Sequence, residues 1–353
     1  MNVEEKIKPF EKPAFKEIKT KDSIGHILCH DITQIIPGTI KDARFRKGHI
    51  VREEDIPVLL SMGKDKLYVW EEIHGFLHEN EAAKRLAAIC ENKFMRKTQV
   101  KEGKIELVAE TGGLFTVDCV KLNAINSIGQ IAIASRHTNT SVKSGDTLLG
   151  VRVIPLVIAE AALEKAEAIT AGISLAAVIP WKLKTAAIVT TGNEVFHGRI
   201  KDAFTPVVLD KLAKFGITVI AHKTVGDDSA GIQKAILEVR EVSPDLILCT
   251  GGMSVDPDDR TPAVISAVCQ NIVCYGTPVL PGSMLMMGYF EDSVPVLGLP
   301  GCVMYHKPTV FDLVLPRIAA GLSLSSADFA AMGHGGLCHK CEQCYFPDCA
   351  FGK

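Results

Sequence analysis

Cys338, Cys341, Cys344 and Cys349 place four thiols within twelve residues near the end of a chain of 353. Thiolates this close repel one another unless a soft cation neutralises them, so the pattern points to metal coordination. The Cys-x2-Cys-x2-Cys spacing approaches that of iron–sulfur ligands, but the fourth cysteine falls one residue late and no proline follows it. Zinc held by four cysteines fits nearly as well. A redox-reactive thiol cluster, or a handle for molybdenum or copper, is a third reading. His334 and His339 could add ligands, although a solvated histidine is the ordinary state in a glycine-rich tail. The other seven of the eleven cysteines, such as Cys90, Cys249 and Cys269, stand singly among apolar neighbours, where a free thiol behaves as a small hydrophobe.

A second group of residues could hold an anion. Three glycine-marked turns, Thr190-Thr191-Gly192-Asn193-Glu194, Thr250-Gly251-Gly252-Met253-Ser254 and Gly298-Leu299-Pro300-Gly301, adjoin short apolar runs. Backbone amides at such turns approach a phosphate closely, and threonine and serine hydroxyls add donors. Glu194, Asp227, Asp228, Asp256, Asp258 and Asp259 cluster in the same stretches. Acidic groups beside an anion site imply an intervening cation, Mg2+ by the chemistry of oxygen ligands, or a donor-rich heterocycle. The plainer reading is that Asp227-Asp228 N-caps the helix starting near Ala230 and that Asp256–Asp259 is a solvated turn. No G-x-x-x-x-G-K-[ST] and no G-x-G-x-x-G after the first strand occurs, which excludes a P-loop and argues against dinucleotide binding.

The elements that would position these turns alternate. Lys184–Val189 and Leu246–Cys249 read as strands buried on both faces. Ala203–Phe215 and Ile232–Val239 carry helical apolar spacing between them. Thr261–Cys269 continues as helix, strands follow near Met284–Tyr289 and Val294–Leu297, and an apolar helix lies within Met304–Ala320. Strand and helix in alternation predict an α/β fold, a parallel sheet with right-handed crossovers and helices on both faces. Ligands of such sheets sit beyond the carboxyl ends of the strands, where the glycine turns lie.

Upstream, residues 1–22 read as a flexible lead and 23–98 as a smaller α+β region. In the latter a helix opens at Glu53-Glu54-Asp55, Lys66–Trp70 is a strand and Glu79–Glu91 is a second helix. Residues 99–180 hold short alternating runs, expected as an antiparallel β-unit, then a linker helix from Pro155 to Ala171. The sheet domain is expected over 181–322 and a cysteine-rich metal-binding tail over 323–353. A net charge of −2 gives no field favouring nucleic acid or an anionic membrane. Residues 1–22 lack the apolar core of a secretory signal, and Glu160, Glu164, Lys165 and Glu167 interrupt the most apolar long segment. A cytoplasmic location is the expectation, which disfavours disulfides.

Taken in order, T-T-G-N-E-V, V-G-D-D, T-G-G-M-S-V-D-P-D-D-R-T, L-P-G-S-M and G-L-P-G resemble the molybdopterin-binding domain of molybdenum-cofactor biosynthesis proteins. The set is most similar to the molybdopterin molybdotransferase family, over Lys184 to Gly321. R-K-G-H-I-V and L-L-S-M-G-K-D-K-L-Y-V, within residues 25–71, echo that family's N-terminal region. The resemblance implies binding of a phosphorylated pterin, Mg2+ and molybdate near the carboxylates, an elongated homodimer, and insertion of molybdate into adenylated molybdopterin with release of AMP. By position, Gly251, Gly252 and Ser254 would form the phosphate nest, with Thr191, Gly192 and Glu194 flanking the ligand. Asp227 or Asp228, with Asp259, would serve the metal or molybdate, and Gly298, Pro300 and Gly301 would form the far wall.

Pro281-Gly282-Ser283-Met284 occupies the place of the family's P-G-K-P, so a cation is missing beside the phosphates. Arg44, Arg46, Lys47 or Arg260 could replace it. Gly301-Cys302-Val303 likewise replaces G-N-P, and Pro37–Ala43 stands where the family carries S-x-M-D-G-Y-A. These departures leave a second reading, a non-catalytic molybdopterin carrier or sensor with a metal-binding tail.

Overall fold

The computed structural model describes residues 15–36, 40–70, 75–257 and 259–353. Residues 1–14, Pro37, Gly38, Thr39 and Asp258, named above, lie outside the described residues. Contacts divide the chain into two units. The first holds residues up to Ala109, with Val117–Arg136 and Gly145–Ala177; the second holds Glu110–Thr116, His137–Ser144 and Val178–Lys353.

The first unit begins with β1 (Phe15–Lys19), β2 (Ile32–Ile36), β3 (Ile40–Phe45), α1 (Asp55–Ser61) and β4 (Lys66–Trp70). Residues 15–22 are therefore not part of a flexible lead: β1 pairs antiparallel with β4, and Thr20–Asp22 forms a 3-10 turn. Leu28, Ile32, Phe45, Val51, Leu59 and Leu67 make a small core there. Next come β5 (Phe76–His78), α2 (Glu79–Cys90), β6 (Met95–Lys97) and β7 (Lys104–Ala109). The unit continues with α3 (Cys119–Asn126), β9 (Ile131–Ser135), β11 (Thr147–Val153), β12 (Val157–Ala159) and α4 (Glu160–Thr170), while β8 (Gly113–Val117), save its last residue, and β10 (Thr140–Val142) fall in segments of the second unit.

Strands β6, β7, β11 and β9 form the antiparallel sheet expected in this region. Arg85 of α2 ties α4 down, with its guanidinium 2.8 and 2.7 Å from the Glu167 oxygens and 2.8 Å from Glu160. The expected linker helix starts five residues late, at Glu160. Two of the alternating segments leave the sheet. β8 and β10 belong with β13 (Ala176–Pro180) in a three-stranded sheet of order β10-β8-β13. Gly113 permits it, because a Cβ there would lie 2.4 Å from the Ile179 carbonyl oxygen. Alternation specifies a strand but not which sheet it joins.

The second unit is built on β14 (Thr185–Thr191), α5 (Asn193–Phe196), α6 (Phe204–Ala213), β15 (Thr218–Val225), α7 (Ser229–Arg240) and β16 (Ile247–Thr250). It continues through α8 (Thr261–Val268), β17 (Asn271–Tyr275), β18 (Met286–Tyr289), β19 (Pro295–Leu299), α9 (Val310–Ala319) and α10 (Ser326–Ala331). The sheet order is β15-β14-β16-β19-β18-β17. β15, β14, β16 and β19 are parallel, and at one edge β18 pairs antiparallel with both β19 and β17. The expected parallel sheet is present, and its antiparallel edge arises because only Phe290–Val294 separates β18 from β19, too short for a crossover.

Residue parity sorts the core. Ala186, Ile188, Leu246, Leu248, Leu297 and Leu299 point to the face covered by α6 and α9. Ala187, Val189, Ile247, Cys249 and Val296 point to the face covered by α7 and α8. All are wholly buried, each large one contributing about 1.5–3 kcal/mol. Helices on both faces are thus what the sequence demands.

Candidate functional site at the carboxyl edge of the six-stranded sheet

Register aligns the strand tips. Thr190 lies opposite Thr250, and Thr250 opposite Leu299, so the three glycine turns emerge side by side. Met286 lies opposite Gly298, which brings the segment before β18, including Pro281-Gly282-Ser283, to the same edge. Thr191, Gly192, Gly251, Gly252, Ser254 and Gly301 are therefore gathered as expected.

The tightest part is the turn after β16. Gly251 and Gly252 have φ of +86° and +57°, both left-handed. A Cβ on Gly251 would lie 2.2 Å from the Thr191 carbonyl oxygen, and one on Gly252 2.8 Å from the Thr261 hydroxyl. Side chains are excluded from both positions, so the turn presents bare backbone. Gly192, at φ +136°, opens the β14 turn in the same way. Ser254 is exposed beyond it.

Buried hydroxyls brace these tips, one set on each face of β14. On the α8 side the Thr191 and Thr261 hydroxyls are 3.3 Å apart, and Thr261 donates to the Gly251 carbonyl at 3.0 Å. On the α6 side Thr250 donates to Thr190 at 3.2 Å, and the Thr190 oxygen lies 3.0 Å from His222 Nε2. Asp202 closes this second set, accepting from the amides of Phe204 and Thr205 at 2.8 and 3.0 Å and from the Thr205 hydroxyl. Burial alone would push the Asp202 carboxyl up, but the Thr205 hydroxyl and the two amides outweigh it and hold it below its usual range. Asp202, Thr205, His222 and Thr261 were not singled out from sequence. Their signal is slight: polar residues at strand and helix ends look the same whether or not they support a site.

Most of the carboxylates are committed to the backbone. Asp228 N-caps α7, accepting from the Gly231 amide at 2.7 Å. Asp227 accepts from the Asn193 amide at 2.9 Å and so fixes the start of α5. Asp259 accepts from the Asp256 amide at 3.1 Å within its own turn. The plain reading therefore holds for Asp228 as a cap and for Asp259 in its turn, whereas Asp227 braces α5 rather than capping α7. Glu194 stands exposed on α5 beside Gly192. Among the described residues no group of three or more His, Cys, Asp or Glu side chains is disposed to hold a metal ion. The protein's side chains alone do not assemble the Mg2+ site expected at Asp227.

The far wall is also partly reassigned. A Cβ on Gly298 would lie 2.4 Å from the Met253 sulfur, so this glycine serves packing inside the core. Pro300 is buried and Gly301 exposed at the start of a 3-10 turn, Gly301–Met304. Gly282, at φ +128°, packs against Val310, whose amide bonds the Pro281 carbonyl at 3.0 Å. Ser283 is half-buried, with its carbonyl accepting from Thr277. Arg260 is exposed at the head of α8; Arg44, Arg46 and Lys47 belong to the first unit.

The tail is docked rather than loose. α10 was not expected, and Phe351 is buried in the core below α9. A small cavity of about 60 Å3 is lined by Cys338, His339, Cys341, Cys344 and Cys349 together with Lys307 and Pro308. A much larger one, about 580 Å3, opens at the opposite, amino edge of the sheet, between Leu183, Arg240, Asp245 and Pro295. No site was expected there.

Residues 187–320 match the family described as a probable molybdopterin binding domain, and residues 17–71 match a domain of unknown function. A molybdopterin molybdenumtransferase of Staphylococcus epidermidis (strain ATCC 35984) is 26% identical over 326 residues, covering 84% of this chain and 71% of that protein. A competence-damage inducible protein of Bacillus cereus (strain G9842) is 34% identical over 108 residues, 31% of this chain. The chain covers only 25% of the length of that relative. A solved molybdopterin biosynthesis enzyme, MoaB of Thermus thermophilus, is 23% identical with a TM-score of 0.34, covering 40% of this chain and 98% of that one.

Proposed function

We infer that residues 187–320 are a molybdopterin-binding domain acting in molybdenum-cofactor biosynthesis, and that the chain is a molybdopterin molybdotransferase-like enzyme. One observation carries the reading most: the left-handed Gly251-Gly252 pair, forced free of side chains by Thr191 and Thr261. Its amides are the donors we assign to the terminal phosphate of the pterin, an anion site made of backbone. Gly192 and Thr191 flank the ligand on one side, and Pro281-Gly282-Ser283 with Gly301 on the other. Ser254 and the Ser283 hydroxyl add neutral donors.

In this reading molybdate is the second substrate, inserted into adenylated molybdopterin with loss of AMP. Glu194, exposed on α5 just past β14, and Asp259, half-buried in the turn before α8, are assigned to the reacting end. Asp227 and Asp228 hold α5 and α7 in place. Mg2+ usually takes one or two carboxylates together with substrate phosphates, and here most of its ligands would have to come from the substrate. A soft metal at the tail thiols, as zinc or iron–sulfur, belongs to the same proposal, as do a homodimer and a cytoplasmic location. Among the described residues no helix is long and apolar enough to cross a membrane.

Ser283, standing where relatives of the transferase type carry lysine, favours a second reading in which the domain binds molybdopterin without turning it over. Incubation with adenylated molybdopterin and molybdate separates the two. AMP release that Glu194→Gln abolishes supports the transferase, whereas stable pterin binding without AMP supports the carrier. Absence of any pterin binding rejects both.

A further inference from the structure

The segment Cys338 to Cys349 contains no helix or strand, and Cys341, Cys344 and Tyr345 in it are exposed. Cys338, Phe346 and Cys349 pack on the core, so the exposed middle of the segment is the part that packing holds least. Its neck is nevertheless sealed: the Gly352 amide bonds the Gly335 carbonyl at 2.9 Å, enclosing all four cysteines in one loop. The loop is also stitched to the carboxyl edge of the six-stranded sheet. Leu280 donates to Gly336 and Cys338 donates to Leu280, each at 2.8 Å, which makes a short parallel bridge beside Pro281-Gly282. The Cys344 thiol donates to the Lys307 carbonyl at 2.9 Å, three residues before Val310, which packs on Gly282.

We propose that Cys338, Cys341, Cys344 and Cys349 close on a single zinc-class divalent ion, and that this ion clamps the Leu280–Ser283 and Lys307–Val310 segments into the ligand-binding edge. All four cysteines line one small cavity, although their side chains as placed do not form a ligand set, so the proposal requires them to rotate inward. The late fourth cysteine and the lack of a following proline depart from the iron–sulfur pattern and leave four-thiolate zinc. Each thiol gives up its proton to solvent as it ligates, so the clamp tightens as pH rises. Cys338, Phe346 and Cys349 anchor the loop on the core, and a cross-link adds most at its exposed middle, Cys341 to Tyr345. The importance of the clamp to ligand binding rests on the site assignment above; the metal site itself does not.

The test uses the full chain purified with zinc supplied. One zinc per chain is expected, together with slow hydrogen exchange at the amides of Leu280 and Cys338. Removal of the metal by a chelator should speed that exchange by about tenfold or more, and readdition of zinc should restore it. Cys341→Ser/Cys344→Ser should lose the zinc. Substoichiometric metal, or iron with sulfide and visible absorption, overturns the single-ion site. Stoichiometric zinc with unchanged exchange at Leu280 overturns the clamp. Zinc-loaded, protected protein that ignores molybdopterin rejects the ligand assignment and leaves the clamp standing.

Discussion

Gly251 sits so close to Thr191 that a Cβ on it would lie 2.2 Å from the Thr191 carbonyl oxygen. The contact fixes how the turn after β16 leans on the tip of β14, and it explains why a backbone-only turn occupies the middle of the carboxyl edge. Gly251→Ala meets both this clash and a φ of +86°. It should lower stability by about 1–3 kcal/mol, read from urea unfolding. A cost below about 0.5 kcal/mol would show that the turn relaxes easily and does not preorganise anything.

Gly298 provides the contrast. Its neighbour is the Met253 sulfur, inside the core, so Gly298→Ala is an overpacking change that should cost about 1–3 kcal/mol. Measured on the folded fraction at low temperature, its pterin affinity should stay near wild type. Affinity lost without loss of stability would return Gly298 to the ligand wall.

Asp202 supplies a pH signature. Its carboxyl is held below the usual range in the folded protein, so it stabilises above its unfolded value and ceases to as pH falls through the folded one. The stability gap between wild type and Asp202→Asn should be full above about pH 4 and close below it. Urea unfolding at neutral and acid pH gives the gap directly. A gap that does not change with pH would mean that the carboxylate charge plays no part in bracing Thr190 and Thr205.

Lys211 and Asp312 form a nearly buried ion pair at 2.5 Å, joining α6 to α9 below the same edge. Asp312 also closes the capping box of α9 with Thr309. Lys211→Met removes one partner and leaves the other buried, which should cost about 3–5 kcal/mol. A loss under about 1 kcal/mol would show that Asp312 is satisfied by Thr309 alone.

The sequence was most informative where burial is complete. β14 and β16 are continuous apolar runs, and their glycine-marked ends could be placed at one edge by sheet topology alone. It was least informative where one pattern serves two structures. β15 was passed over because His222 and Lys223 break its apolar character at an edge strand, where one side meets solvent. β8 and β10 alternate like their neighbours yet join another sheet. In α6 the apolar Leu209 is exposed, since the helix turns Val208 and Leu212 to the core instead. At the site the turns were legible because glycine reports backbone conformation. The carboxylates were not, because an aspartate at a helix start has the same spelling whether it caps or ligates; Asp228 caps α7, and Asp227 bonds the Asn193 amide of α5.

The central claim is best tested by titrating molybdopterin, with and without magnesium, into the wild-type protein and Gly252→Ala under anaerobic conditions. A Cβ on Gly252 would press on the Thr261 hydroxyl at 2.8 Å and obstruct the assigned phosphate position. The account predicts saturable, stoichiometric binding to wild type and a loss of at least about tenfold in the variant, some 1.4 kcal/mol. Equal affinity in the two proteins, or none in wild type under either condition, would contradict it.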